Sequence, residues 1–258
     1  MIPVRRCGLL LAAARAGETS EEAGVTQTHR QAGEDGRTPI AVFDLDGTLL
    51  DGQSGTLVLR YLLGHGMLSK RAAGKAAWWG TRYKFHLPFR QEEVREIIFN
   101  ELGSLGPGRI YDLMRAFHDE VMVPRYFAQG VEELRRHRAA GELTVIVSAT
   151  FDAIAQAARE YLGADVALAT IMERSADGTT YTGRVQGAVT AGPEKARRLR
   201  AFADERFGAG NWRVTCAYGD HFTDAPLLEM AERPFAVNPG PTLRREAARR
   251  GWPQLEWK

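Results

Sequence analysis

A chain of 258 residues that is 44% hydrophobic and 26% charged is long enough for one large domain, or for a core carrying an insertion, and has ordinary soluble-protein usage. Its formal charge of +2 supplies no global field of the kind that gathers nucleic acid, so none is expected as a partner. No apolar run approaches the ~18 residues of a membrane span. The two cysteines, Cys7 in a polar tail and Cys216 inside a predicted strand, make no disulfide framework, which fits a reducing cytoplasm.

In chain order, residues 1–6 are basic, 7–14 form a short apolar run, and Ala14-Arg15-Ala16 imitates a small-residue cleavage site. That is the outline of a secretory signal. The run is short and interrupted by Gly and Ala, and 17–38 holds hardly any large apolar residue, so 1–37 is expected as an unstructured extension and the protein in the cytoplasm. The run 40–43 reads as a buried strand, followed at once by Asp44, Asp46 and a Gly47-Thr48 turn. A buried helix is predicted over 57–63. From 67 to about 123 the pattern is helical, broken at Pro88 and around 103–108, with no convincing strand.

Strand and helix alternate after Pro124. A helix over 131–140 ends at Gly141, and the β-branched run 143–147 suits a strand buried on both faces. A helix over 151–162 and a strand over 166–170 follow. Asp177-Gly178 marks a β-hairpin turn. Pro193 opens a helix to about 207, then come a strand over 214–217, a helix over 226–231, a short strand over 235–237 and a helix over 241–250. The fold class is therefore α/β, a doubly wound parallel sheet with an all-helical segment inserted after the first strand. The expected core is 38–56 with 125–258, and the insertion is 57–124. In such sheets ligands bind beyond the carboxyl ends of the strands, where Asp44, Asp46, Ser148, Asp220 and Asp224 are all predicted to lie.

Residues i and i+2 of a strand share a side, so Asp44 and Asp46 would occupy one small volume, where two anions repel unless a cation intervenes or one takes a proton. Asp and Gly also form simple solvated turns. A carboxylate such as Asp44 can attack phosphorus, and an acid such as Asp46, its pKa raised by neighbouring acids, can pass a proton to a leaving group. Asp220 and Asp224 add hard oxygen ligands of the kind Mg²⁺ prefers, although Asp224 would also cap the helix after it. Ser148 and the N–H of Ala149 precede a helix start, where anions are attracted, and Ser there is equally an ordinary cap. Lys195 on a first helical turn opposes the helix dipole, which pairing with Asp44 would explain.

Phe43-Asp44-Leu45-Asp46-Gly47-Thr48, Ser148 closing its strand, Gly192-Pro193-Glu194-Lys195, and Gly219-Asp220-His221-Phe222-Thr223-Asp224 together resemble the four motifs of the haloacid dehalogenase-like phosphohydrolases. The phosphoserine-phosphatase-type branch, subfamily IB, is the nearest likeness, over roughly residues 38–253. The resemblance implies an aspartyl-phosphate on Asp44, acid–base work by Asp46, and Mg²⁺ held by Asp44, the carbonyl of Asp46 and Asp220, with Asp224 assisting. It gives Lys195 the pairing role, and places Ser148, Ala149, Thr48 and Thr223 around the phosphate, Thr48 also orienting Asp46. The second acid of the first motif, absent from the dehalogenases, favours phosphoryl transfer, and the helical insertion takes the place of a cap.

The residue that reads the substrate amino group in phosphoserine phosphatases falls at Gln53, which cannot pair with an ammonium ion. From Arg60 to Arg90 there are seven Lys or Arg, no Asp or Glu, and the aromatics Trp78, Trp79, Tyr83, Phe85 and Phe89. Arg82 and Arg90, with Lys84 and His86, are candidate contacts for an anionic phosphate ester; a solvated basic face is the bland alternative. The expected partner is a small phosphomonoester. The alternatives are a lipid head-group phosphate met at a membrane surface, and a non-catalytic module gripping nucleic acid on its basic aromatic face.

Overall fold

The computed structural model describes residues 36–75, 78, 98, 101–103 and 105–258. The tail 1–35 and Arg82, Lys84, His86, Arg90, Trp79, Tyr83, Phe85 and Phe89 lie outside the described residues.

Residues 40–43 are uniformly apolar because β1 (Thr38–Phe43) is covered on both faces. Ile40 and Val42 join the core on one side and Ala41 and Phe43 the core on the other, the period-two alternation of a strand. Between β1 and α3 (Ala128–Ala139) the described residues form α1 (Ser54–Gly64), α2 (Pro107–Phe117), a π turn (His118–Met122) and a 3-10 turn (Val123–Arg125). Then come β2 (Leu143–Phe151), α4 (Asp152–Leu162), β3 (Val166–Thr170), β4 (Met172–Arg174) and β5 (Tyr181–Val185). The chain closes with α5 (Pro193–Phe207), β6 (Trp212–Gly219), α6 (Ala225–Leu228), β7 (Ala231–Val237), α7 (Pro241–Arg250) and β8 (Gln254–Leu255).

The main sheet runs β3-β2-β1-β6-β7-β8, with every pairing parallel. Leu134 of α3 and Ile154 and Leu162 of α4 cover one face together with α1 and α2; Leu199 of α5, Leu227 of α6 and Leu243 of α7 cover the other. This is the doubly wound arrangement predicted. β4 and β5 pair antiparallel outside that sheet, around the expected Asp177-Gly178 turn. Among the described residues no helix is long and apolar enough to cross a membrane.

Several boundaries differ from the sequence reading, and two matter for the site and the sheet edge. β2 runs on past Val147 to Phe151, with a register shift before the Phe151–Thr170 pair, so Ser148 sits in the strand's irregular last part. The helix expected over 226–231 stops at Leu228, and Ala231 already belongs to β7. Glu232, Arg233 and Pro234 disguise that strand. They are tolerated because β8 pairs only with Ala236 and Val237, so the missing N–H of Pro234 faces an unpaired edge.

Three rings on adjacent strands lie in register. Phe43 stacks on Tyr218 at 4.6 Å and Tyr218 on Phe235 at 5.0 Å, each pair within 7° of parallel. Beneath them the Tyr218 hydroxyl donates to Glu133 at 2.5 Å and accepts from Nε2 of His137 at 2.9 Å, while Nδ1 of His137 donates to Glu142 at 2.7 Å. Burial disfavours charge on His137, but its hydrogen bonds to Cys216 and Glu142 outweigh that and hold its pKa at about 9.

Candidate active site

Parallel strands deliver their carboxyl ends to one edge, and there the first and last motifs meet. Asp44 follows β1, its N–H donating to the Tyr218 carbonyl at 2.9 Å, and Asp220 follows β6 directly. The loops are pressed together so closely that a Cβ at Gly47, whose φ is +81°, would lie 2.2 Å from Oδ2 of Asp220. Gly219 is similarly required, since a Cβ there would meet Cβ of Asp224 at 2.8 Å.

Lys195 projects inward from the first turn of α5 and is only 4% exposed. Its ammonium donates to Oδ1 of Asp44 at 2.6 Å and to Oδ1 of Asp224 at 2.7 Å. Burial works against a charged Lys195, yet the two carboxylates raise its pKa above the ordinary lysine value. Asp224 makes no side-chain cap for the helix after it, contrary to the ordinary capping role foreseen; its Oδ2 instead accepts the N–H of His221, three residues earlier, at 3.1 Å.

Asp44, Asp220 and Asp224 each offer an oxygen within 4.8 Å of the others. Burial, with the charges of Asp224 and Asp220 beyond it, pushes Asp44 well above the ordinary carboxylate value, against the pull of Lys195. Burial and the charge of Asp224 raise Asp220 to about 7. Three carboxylates against one ammonium leave a deficit of two positive charges when all are ionised. Such a set of hard oxygens fits a divalent cation.

Asp46 is held apart from this cluster. Its Oδ1 accepts the backbone N–H of Ser54 at 3.0 Å and its Oδ2 the Ser54 hydroxyl at 2.8 Å. Its raised pKa comes from burial, opposed by these bonds and by Lys195, and not from the neighbouring acids expected to cause it. Thr48 does not orient Asp46 as anticipated: the Asp46 oxygens are taken by Ser54, and the buried Thr48 hydroxyl has no partner. The sequence reading passed over both Ser54 and Thr150, whose hydroxyl lies 2.7 Å from that of Ser54. The one available signal is a Ser shortly before the helix predicted over 57–63.

Ser148 is buried in the irregular last part of β2, and its oxygen accepts the N–H of Thr150 at 3.1 Å, with Ala149 between them. Thr223 is partly exposed and its hydroxyl is engaged with Nδ1 of His221 at 2.9 Å. Gln53 is exposed at the head of α1 and makes no side-chain cap.

A carboxylate paired with a buried ammonium, an acid cluster and a separately held second acid thus meet at the carboxyl edge of a parallel sheet. The chain belongs to the haloacid dehalogenase-like hydrolase family, which it matches over residues 41–229. Within that family it is a phosphatase. It is similar to a histidinol-phosphatase of Neisseria meningitidis, 28% identical over 225 residues that cover 85% of this chain and 99% of the relative. A phosphoserine phosphatase of Mycobacterium tuberculosis is 30% identical over 232 residues, covering 86% of this chain and 73% of that protein. The solved structure of a protein of unknown function from Bordetella pertussis Tohama I superposes with a TM-score of 0.75 at 29% identity, over 85% of this chain and 98% of that one.

Proposed function

We propose that the chain hydrolyses a small organic phosphomonoester with Mg²⁺, through an aspartyl-phosphate on Asp44. The observation that carries this reading is the Asp44–Lys195–Asp224 triple contact beside Asp220, with Asp46 held separately. The hard oxygens of Asp44, Asp220 and the Asp46 carbonyl, supported by Asp224, would hold Mg²⁺ and make up the missing positive charge. Bound there, the ion offsets the charge of the phosphate and of the attacking carboxylate.

In the first half-reaction the Asp44 carboxylate attacks phosphorus, the P–O bond to the alcohol breaks, and Asp46 protonates the departing oxygen. Asp46 then removes a proton from water, which attacks the same phosphorus and breaks the P–O bond to Asp44, releasing inorganic phosphate. Lys195 and the Ser148 hydroxyl, whose oxygen already accepts from Thr150, supply positive charge and a donor to the phosphoryl oxygens, as does the Ala149 N–H. The unpartnered Thr48 hydroxyl remains free to donate within the same loop, and Thr223 joins only if its hydroxyl leaves His221. Residues 57–124 act as the cap.

The two relatives are named for histidinol phosphate and phosphoserine, which sets the first compounds to try. Gln53 offers no charge to an ammonium group, so phosphoserine is not the favoured substrate. A panel of phosphomonoesters assayed with Mg²⁺ and with EDTA tests the reading. Turnover should require the metal and vanish in Asp44→Asn and Asp46→Asn, whereas undiminished turnover in either variant would overturn it. The lipid-phosphate alternative is favoured by one feature, Trp78, which is 64% exposed on the basic insertion. It predicts binding to anionic vesicles that Trp78→Ala abolishes.

A further inference from the structure

We infer that Ser54, backed by Thr150, is the positioning residue for the acid–base carboxyl of Asp46, an assignment that rests on the acid–base role proposed above. Ser54 is fully buried and grips both Asp46 oxygens from one residue, through its N–H at 3.0 Å and its hydroxyl at 2.8 Å. An unpaired N–H at the start of α1 needs some acceptor in any case, so the backbone contact alone is ordinary helix-end chemistry. The hydroxyl is the informative part.

A serine has one hydroxyl hydrogen, and the Ser54 oxygen lies within bonding distance of both Asp46 and Thr150, at 2.8 and 2.7 Å. An ionised carboxylate can only accept. Ser54 therefore donates to Asp46, and the Thr150 hydroxyl donates to Ser54. The N–H of Thr150 in turn donates to Ser148. The chain Asp46–Ser54–Thr150–Ser148 thus ties the proton-transferring acid to the strand end that meets the phosphate, across a sequence separation of 96 residues between Ser54 and Thr150.

A carboxylate has about four acceptor positions. Ser54 occupies two, one on each oxygen, so the carboxyl cannot rotate without breaking both bonds. The other two are left for the leaving-group oxygen and, later, for water. General acid catalysis depends on a heavy-atom approach within about 2.6–3.2 Å, and a carboxyl free to turn about its bond loses that alignment. Such a loss falls most heavily on substrates whose leaving group needs a proton.

The test is the leaving-group dependence of kcat/KM, which reports the first half-reaction, for aryl and alkyl phosphates in Ser54→Ala, Ser54→Thr and Thr150→Val, with Mg²⁺ at one pH. In Ser54→Ala the alkyl phosphate should lose about 10–100-fold, part of the ~10²–10⁴ that a positioned acid supplies, while an activated aryl phosphate changes by less than about threefold. Ser54→Thr, which keeps the hydroxyl, should restore the alkyl rate, and Thr150→Val should steepen the dependence in the same direction. Equal losses on both ester classes, or no loss on either, would overturn the assignment. If Ser54→Ala does not fold, the slope in Thr150→Val decides by the same criteria. Asp46→Asn separates the two levels. If that variant keeps full alkyl turnover, the acid–base reading itself fails; if it loses turnover while Ser54→Ala does not, only the positioning role fails.

Discussion

Replacing Lys195 with methionine keeps most of the stem and deletes the charge. Two contacts of 2.6 and 2.7 Å disappear, each worth about 6 kcal/mol gross at an effective dielectric of about 20. Most of that only offsets the cost of holding charges at 4% exposure for Lys195 and Asp44 and 1% for Asp224, several kcal/mol per ion. Breaking a buried pair from one side costs a net of about 3–5 kcal/mol, which for a chain of this size lowers Tm by roughly 6–20 °C. Thermal unfolding followed by circular dichroism, first in EDTA and then in excess Mg²⁺, measures it. The variant should melt well below the parent in EDTA, and Mg²⁺ should raise its Tm more than the parent's, because a dication replaces part of the missing positive charge. Turnover should fall at least about 100-fold, the scale of removing one group that stabilises transition-state charge. A variant that melts with the parent in EDTA would refute the reasoning, since Asp44 and Asp224 would then not depend on the ammonium.

The remaining expectations concern single features. Gly47→Ala adds a Cβ 2.2 Å from the Asp220 carboxylate at φ +81°, so Mg²⁺-dependent turnover should collapse; Gly178→Ala, at φ +70° in open space, should cost only backbone strain of about 1–3 kcal/mol and leave turnover intact. Comparing kcat and the Mg²⁺ titration of the two separates crowding from strain. His137, raised from 6.5 to about 9 in the folded chain, contributes stability that is fully present below pH 6.5 and lost as pH rises through about 9. That rise is worth on the order of 3 kcal/mol, and His137→Gln should flatten the fall in Tm between pH 6 and pH 9.5. Gly130→Ala would drive a methyl to 2.9 Å from the Trp257 ring and 3.1 Å from Leu49, and should lower stability by about 1–3 kcal/mol in a urea titration without changing KM.

The parts of this molecule that could be read from sequence are those whose signal is local. β1 and β2 show themselves as apolar or β-branched runs because the parallel sheet buries both their faces, and α5 announces its start with Pro193. Asp44, Lys195 and Asp220 were legible because each sits where a strand ends or a helix begins. Asp46's true partner was not, since nothing in the order of residues says that Ser54 and Thr150 will touch. β7 was half hidden for a related reason. Glu232 and Pro234 look unlike a strand until the sheet order puts them beside an edge that asks for no hydrogen bond. The family resemblance places Thr48 on Asp46, but Ser54 takes both Asp46 oxygens and leaves the Thr48 hydroxyl without a partner.

The Phe43–Tyr218–Phe235 stack bears on how such an enzyme can change its tastes. Phe43 immediately precedes Asp44 and Tyr218 stands two residues before Asp220, so the spacing of those two carboxylates is clamped by flat rings stacked across neighbouring strands. Reactivity is thereby anchored to a rigid spacer deep in the sheet. Residues elsewhere between the two motifs can then vary without altering the distance between these carboxylates.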